Sequence, residues 1–344
     1  MRKTIVKGML CACALLPSAL TAQEAADVKT TSYDGPAIVM KPHTLDAHCL
    51  GKLKGQEKQS YQGMDVWNDY IFSFQNTGYL SVYTTDGKTL KQAVKPFRIA
   101  SHHEKNHCNE VTFGRIRYEK DDPFPLIYVA QCQRGSINGR KDVLYVERIA
   151  PDMKSTTLVQ TIVFKDRNKL FGYALNWAVD AERNYLYGYG NTVDNTNPTN
   201  RHRIVKFRIP ELSESTDGIV TLTEEDLLEN YLIEDTYQAP FNPIGQGLMI
   251  RDGLLYMPTG FGNEKYPSEL YVWDLDTRTM RNVIDLSQVT KGELEDCSQW
   301  RDKMLIQTQG EMYLLRDVYT VSPLKYVGRM AAHIRANELF DVQQ

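Results

Sequence analysis

One short phrase returns five times along this chain: a polar residue, a small or polar residue, a run of strand formers, a tight turn and a second apolar strand. It reads Gln62-Gly63-Met64-Asp65-Val66 before Tyr70-Ile71-Phe72, and Asn109-Glu110-Val111-Thr112-Phe113 before Leu126-Ile127-Tyr128-Val129. It returns as Asn176-Trp177-Ala178-Val179 before Tyr185-Leu186-Tyr187, as Gln246-Gly247-Leu248-Met249-Ile250 before Leu254-Leu255-Tyr256, and as Asp296-Cys297-Ser298-Gln299-Trp300 before Met304-Leu305-Ile306. The starts lie roughly 50 residues apart at the closest and roughly 70 at the widest, so the shorter intervals fit one four-stranded unit and the longer ones carry insertions.

Alternating apolar runs, frequent turn pairs and 20 tyrosines in 344 residues favour one all-β body over helical domains. The rhythm predicts an all-β fold, a β-propeller of five blades with four antiparallel strands each, formed by residues 41–344 as a single domain. A strand from Thr44 to Leu53 is expected to complete the last blade beside C-terminal strands, which removes exposed sheet edges. Repeat five offers Leu324–Met330 as a last strand, and six blades result instead if the N- and C-terminal strands make a sheet of their own. Within repeat two the first strand is expected over Val111–Tyr118. Repeat three has a polar loop from Asn191 to His202 and the one helix expected, Glu224–Ile233, where Thr223 with Asp226 three residues on forms a variant capping box. On this rhythm the chain resembles the secreted five-bladed β-propellers of bacteria. The resemblance implies a ring of radial sheets whose ligand sites gather at one end of the central channel, and it implies no particular reaction.

The N-terminus has Arg2, Lys3 and Lys7, then an apolar stretch from Met9 to Leu20, then Leu20-Thr21-Ala22 before a polar run. This pattern is that of a secretory signal peptide over residues 1–22, too short to span a bilayer as a helix. Residues 23–40 read as a disordered leader, and a secreted or periplasmic location is expected. Leu10-Cys11-Ala12-Cys13 loosely matches a lipid-attachment box, but the apolar segment that should precede the cysteine is missing. A net charge of −3 argues against a nucleic-acid partner, because no basic field is available to displace counterions. No later apolar stretch is long enough for a transmembrane segment. Of the cysteines beyond the signal, Cys49, Cys108, Cys132 and Cys297, any pair could form a disulfide in an oxidising compartment, and the sequence leaves the pairing open.

His103-Glu104-Lys105-Asn106-His107 matches the spacing of a zinc-peptidase helix, in which two histidines one turn apart bind the metal. Here the segment runs directly into the strand at Val111, leaving no room for that helix, so no metal or cofactor is expected. As the connection entering repeat two, the loop still brings His102, His103 and His107 near a channel mouth. The residues that start the inner strands are expected to converge on the axis: Gln62, Asn109 with Glu110, Asn176, Gln246, and Glu295 with Asp296. Of these, Asn109, Glu110, Asn176, Gln246, Glu295 and Asp296 form, together with His107, the candidate ligand site. The expected partner is a small polar ligand or glycan bound without catalysis. Two alternatives stand: a glycoside hydrolase or lyase using Glu110 with Glu295 or Asp296, and a scaffold for a protein partner. Glycoside hydrolysis needs two carboxyl groups flanking a sugar-sized cleft, and Asn176 and Gln246 stand where further acids would be expected. Tyr79, Trp177, Tyr189, Trp273 and Trp300 could stack on sugar faces, although aromatics at strand alternation usually bury their bodies in the core.

Expression in an exporting host is expected to yield a chain beginning after Ala22 with no acyl group. Intact mass spectrometry checks this, and an acyl chain on Cys11 or Cys13 would refute it.

Overall fold

In a computed structural model of the chain, which describes residues 43–44, 47–132 and 135–315, each of the five sequence phrases opens one antiparallel sheet. Blade 1 runs outward from the axis as Tyr61–Trp67, Tyr70–Gln75, Tyr79–Thr85 and Leu90–Arg98. Blade 2 is Glu110–Phe113, Ile127–Ala130, Leu144–Ile149 and Thr156–Phe164. Blade 3 is Leu175–Asp180, Tyr185–Asn191, His202–Arg208 and Glu229–Leu232. Blade 4 is Met249–Arg251, Leu254–Thr259, Glu269–Asp274 and Thr279–Asp285. Blade 5 takes Leu294–Trp300, Lys303–Thr308 and Glu311–Leu315 from its own repeat, and its outer strand is Ala47–Lys52, paired antiparallel with Cys49 opposite Tyr313. Ala47–Lys52 thus closes the ring onto the last repeat, and the fold is a five-bladed β-propeller.

Each inner strand packs against the next, blade 1 on 2, 2 on 3, 3 on 4, 4 on 5 and 5 on 1. Between every neighbouring pair lies one apolar core. Phe72, Leu80, Phe113 and Val129 fill the gap between blades 1 and 2, and Leu144, Trp177 and Phe207 the gap between 2 and 3. Tyr187, Trp273 and Val283 fill that between 3 and 4, Leu254, Ile284 and Met304 that between 4 and 5, and Leu50, Ile71 and Trp300 that between 5 and 1. The alternation that makes each strand two-faced is what serves two cores at once, since successive side chains point to opposite faces of the sheet. Two blades are widened by a short parallel strand: Ile219–Leu222 beside Thr156–Phe164, and His43–Thr44 beside Thr279–Asp285.

Three sequence expectations need correction or placement. The helix expected over Glu224–Ile233 is a single 3₁₀ turn, Glu224–Asp226. Its cap forms as read, with Thr223 N–H donating to Asp226 Oδ2 at 2.7 Å. The helix stops because Leu228 N–H donates to Lys206 O at 2.8 Å and the segment then pairs as the outer strand of blade 3, burying Tyr231 beneath Trp273. Sheet pairing and burial outweigh the local helical signal. The strand expected over Val111–Tyr118 ends at Phe113, where Gly114 N–H turns to Leu126 O and the chain leaves the inner edge. The N-terminal segments and Leu324–Met330 lie outside the described residues. Cys49, Cys108, Cys132 and Cys297 are all free thiols, the last three buried.

Glycine at the inner edge answers a close approach. Gly63 N–H donates to Cys108 O at 2.8 Å across the blade 1–2 junction, and a Cβ there would lie 2.8 Å from that same oxygen and 2.9 Å from Val111 N. Gly63→Ala is therefore expected to destabilise the fold by about 1–3 kcal/mol through overpacking against backbone. Denaturant unfolding reads this, and a midpoint equal to wild type would show that the junction relaxes.

Candidate functional site

The inner strands all run away from one end of the channel, so the residues that begin them meet there. The amides of Asn109 and Asn176, from blades 2 and 3, both donate through Nδ2 to the backbone oxygen of Gln246 in blade 4, each at 3.0 Å. Gln246 Nε2 donates onward to Glu293 Oε1 at 2.7 Å in blade 5. There Gln309 Nε2 bonds Glu295 Oε1 and reaches toward Tyr61 O in blade 1 at 3.5 Å. A belt of amides and carboxyls thus ties all five blades at the mouth.

Below the belt lies a layer of carboxyl groups. Asp296 Oδ2 accepts from Met64 N–H at 2.6 Å, reaching from blade 5 to blade 1. Glu110 Oε2 accepts from Leu248 N–H at 2.6 Å, spanning from blade 2 to blade 4, while Oε1 accepts from Thr112 Oγ1 at 2.7 Å. Further down, Asp65 takes Phe113 N–H and Ser298 Oγ, both at 2.6 Å, joining blades 1, 2 and 5. Blade 4 makes room with Gly247, where a Cβ would fall 2.2 Å from Asp296 Oδ1. Glu110 and Asp296 are fully enclosed. Burial, and for Asp296 also the facing Glu110, hold both carboxyls well above the usual carboxylate range. Burial pushes Asp65 up to about 6 against the opposing hydrogen bonds it accepts.

Above the belt the channel opens into a cavity of about 260 Å³. Every blade contributes to its wall: Gln62, Asn109, Asn176, Gln246 and Glu293 in turn, with Gln309 beside Glu293. Tyr189 stands in the wall on blade 3, stacked on His202 with ring centroids 6.1 Å apart, and Phe261, 43% exposed, borders the opening. Within this wall Gln62 Oε1 and the Tyr189 hydroxyl are buried without a hydrogen-bond partner.

Of the residues singled out in the sequence, His107, Asn109, Asn176 and Gln246 line the cavity. Glu295 lies just behind its wall, bonded to the lining Gln309. Burial and the neighbouring Glu293 raise its carboxyl well above the ordinary range. Glu110 and Asp296 do not reach the cavity; they sit one layer down, committed to backbone N–H groups of other blades. Glu293 and Gln309 were missed as site residues. Strand alternation would have pointed to Glu293, since it stands two residues before Glu295 and hence on the same face, and the hairpin register setting Leu294 opposite Thr308 brings Gln309 alongside. Trp177, Trp273 and Trp300 are core, so among the five aromatics named from the sequence Tyr189 alone lines the cavity.

The His103–His107 segment has no helix. Its backbone is pinned by His103 N–H to Thr77 O and Asn106 N–H to His103 O. His103 faces a different cavity, beside Tyr145 and Gln160, while His107 faces the mouth. Among the described residues no group of three or more histidine, cysteine or acidic side chains is placed to hold a metal ion.

No protein-family model matches the chain, and no curated protein matches it. Among solved structures it is similar to the glutaminyl cyclase of Myxococcus xanthus, with 12% identity over 80% of this chain and 100% of that one and a TM-score of 0.43. It is also similar to a glucose dehydrogenase, with 10% identity, 79% and 99% coverage and a TM-score of 0.42. The Pan2 WD40 domain of Neurospora crassa gives 12% identity, 82% and 100% coverage and a TM-score of 0.42.

The carboxyl layer carries a pH signature. Asp65 has a higher pKa in the folded chain, about 6, than the ordinary 3.8, so the folded state binds the extra proton and the group's contribution to stability is lost as pH rises through that window. The stability advantage of wild type over Asp65→Asn is expected to shrink between pH 4 and about 7, as read by urea unfolding at each pH. An advantage that grows with pH would contradict the assignment.

Proposed function

We propose that this chain is an exported binding protein whose ligand, a carbohydrate or other small polar molecule, occupies the channel-mouth cavity. The observation carrying this reading is the pair of buried, unpartnered polar atoms in the cavity wall, Gln62 Oε1 and the Tyr189 hydroxyl. A buried polar group without a partner costs about 1–3 kcal/mol, and a ligand toward which the Gln62 amide and the Tyr189 ring shift to gain the missing hydrogen bonds recovers that energy on binding. A small concave site with a few convergent polar groups on rigid strands is the usual form of such a site, and about 260 Å³ suits one monosaccharide-sized molecule. Phe261 at the opening offers an apolar face to the ring of a sugar.

The position of the acids favours binding over glycoside hydrolysis. Glu110 and Asp296, the acids that reaction would call on, are turned to backbone donors below the cavity. Glu293 and Glu295 stand side by side on one wall, bridged by Gln309, rather than on opposite sides of a bound sugar bond.

Tyr189→Phe tests the reading with little disturbance to the fold, because the hydroxyl it removes has no protein partner. A thermal-shift panel of monosaccharides and glycan fragments first finds a binding probe. Against that probe the variant is expected to keep its melting temperature and lose about 2- to 12-fold in affinity, the worth of one neutral hydrogen bond. Unchanged affinity would remove the mouth cavity as the site.

A further inference from the structure

The mouth cavity is chemically one-sided. On the wall made by blades 5 and 1, Glu293 lines the opening and Glu295 stands behind it. Gln309 Nε2 lies between them, bonded to Glu295 Oε1 and 3.5 Å from Glu293 Oε2. Next to this pair, Gln62 contributes an amide oxygen that is buried and unpartnered, on a side chain 4% exposed. Among the described residues the cavity lining contains no lysine or arginine, and none forms an ion pair with Glu293 or Glu295.

A wall with a carboxylate, a buried unpaired amide oxygen and no cation is complemented by a positively charged donor. A protonated amine supplies both, with three N–H groups and one charge. An anionic ligand would meet the Glu293 carboxylate with no lysine or arginine in the lining to offset it, the basic side chain there being His107, on the segment entering blade 2. A neutral polyol would leave the carboxylate without a counter-charge. A bare divalent cation needs several converging oxygen ligands of its own, and the described acids and histidines are not grouped to supply them. Opposite this wall stand the neutral groups of Asn109, Asn176 and Tyr189, with the imidazole of His107 also in the lining.

Building on the mouth-site reading, we infer that the ligand is a small polar molecule bearing one protonated amine, seated with the amine against Glu293 and Gln62 and its neutral hydroxyl-bearing part toward Asn109, Asn176 and Tyr189. Glu293 is the specificity-determining residue in this arrangement. Its half-buried position at the rim lets it meet a charged ligand while Gln246 holds it in place.

Isothermal titration calorimetry at pH 7 with glucosamine, glucose and N-acetylglucosamine separates the possibilities, since the three share one ring and only the first carries a charged amine. Glucosamine is expected to bind at least about tenfold more tightly than either neutral sugar, and added salt to weaken it alone. Glu293→Gln keeps an acceptor for Gln246 and is expected to abolish the preference for glucosamine over the two neutral sugars, while an unchanged melting temperature reports that the variant is folded. Equal binding of the three sugars, or a preference that survives Glu293→Gln, would overturn the amine assignment. In that case weakened glucose binding by Tyr189→Phe would leave the mouth cavity standing as the site. Failure of all three sugars to bind would overturn both readings.

Discussion

A closed ring of sheets leaves one edge of every sheet pointing at the axis. The inner strands have a neighbour on their outer side and none within, so the N–H groups at those edges must find other acceptors, and a buried N–H without one costs about 1–3 kcal/mol. In this chain some find backbone oxygens, as Gly63 N–H does at Cys108 O, and others find carboxyl groups: Asp296 takes Met64 N–H, Glu110 takes Leu248 N–H and Asp65 takes Phe113 N–H. Each bond crosses from one blade to another. The latches therefore meet the unpaired edges and set the depth at which blades engage, neighbours in two cases and blades 2 and 4 in the third. They also explain why Gly63 and Gly247 occupy the facing positions, where backbone or carboxyl groups fill the space a side chain would take.

Much of this architecture was legible in the residue pattern. Five returns of one phrase specify five sheets, and alternation within each strand tells which residues face a neighbouring blade, so Trp177, Trp273 and Trp300 could be placed in core. Closure by an early strand is also implied by the rhythm and is met by Ala47–Lys52. The outer strand of blade 3 was hidden because Thr223 and Asp226 form a genuine cap, and only the distant edge of His202–Arg208 draws Glu229–Leu232 into a strand. Such information belongs to the partner, not to the segment.

The candidate site was legible in azimuth and less so in depth. Equivalent places in the repeats bring Asn109, Asn176 and Gln246 to one axis, and the cavity indeed lies among them. Adjacent residues on an inner strand differ by one step along the channel and by the face they present. Asn109 therefore meets the cavity, whereas Glu110 is enclosed beneath it. A single position along the strand separates a residue available to a ligand from one consumed in holding the ring. The acid available at the opening, Glu293, precedes the repeat phrase altogether, and the second strand of its hairpin brings Gln309 beside it.

The pairing of Ala47–Lys52 with Glu311–Leu315 also sets the order of events in time. The four main strands of every other blade leave the ribosome close together, but the fifth joins strands separated by nearly the whole described chain, as does the short His43–Thr44 strand at the edge of the fourth. Until that join is made, the Leu50, Ile71 and Trp300 core has one wall missing and the ring has two raw edges. Loop closure over so long a segment makes its entropic demand before the contacts reward it, so joining the ends belongs late in folding. The interval before it is when the chain is most exposed to pairing with another copy of itself.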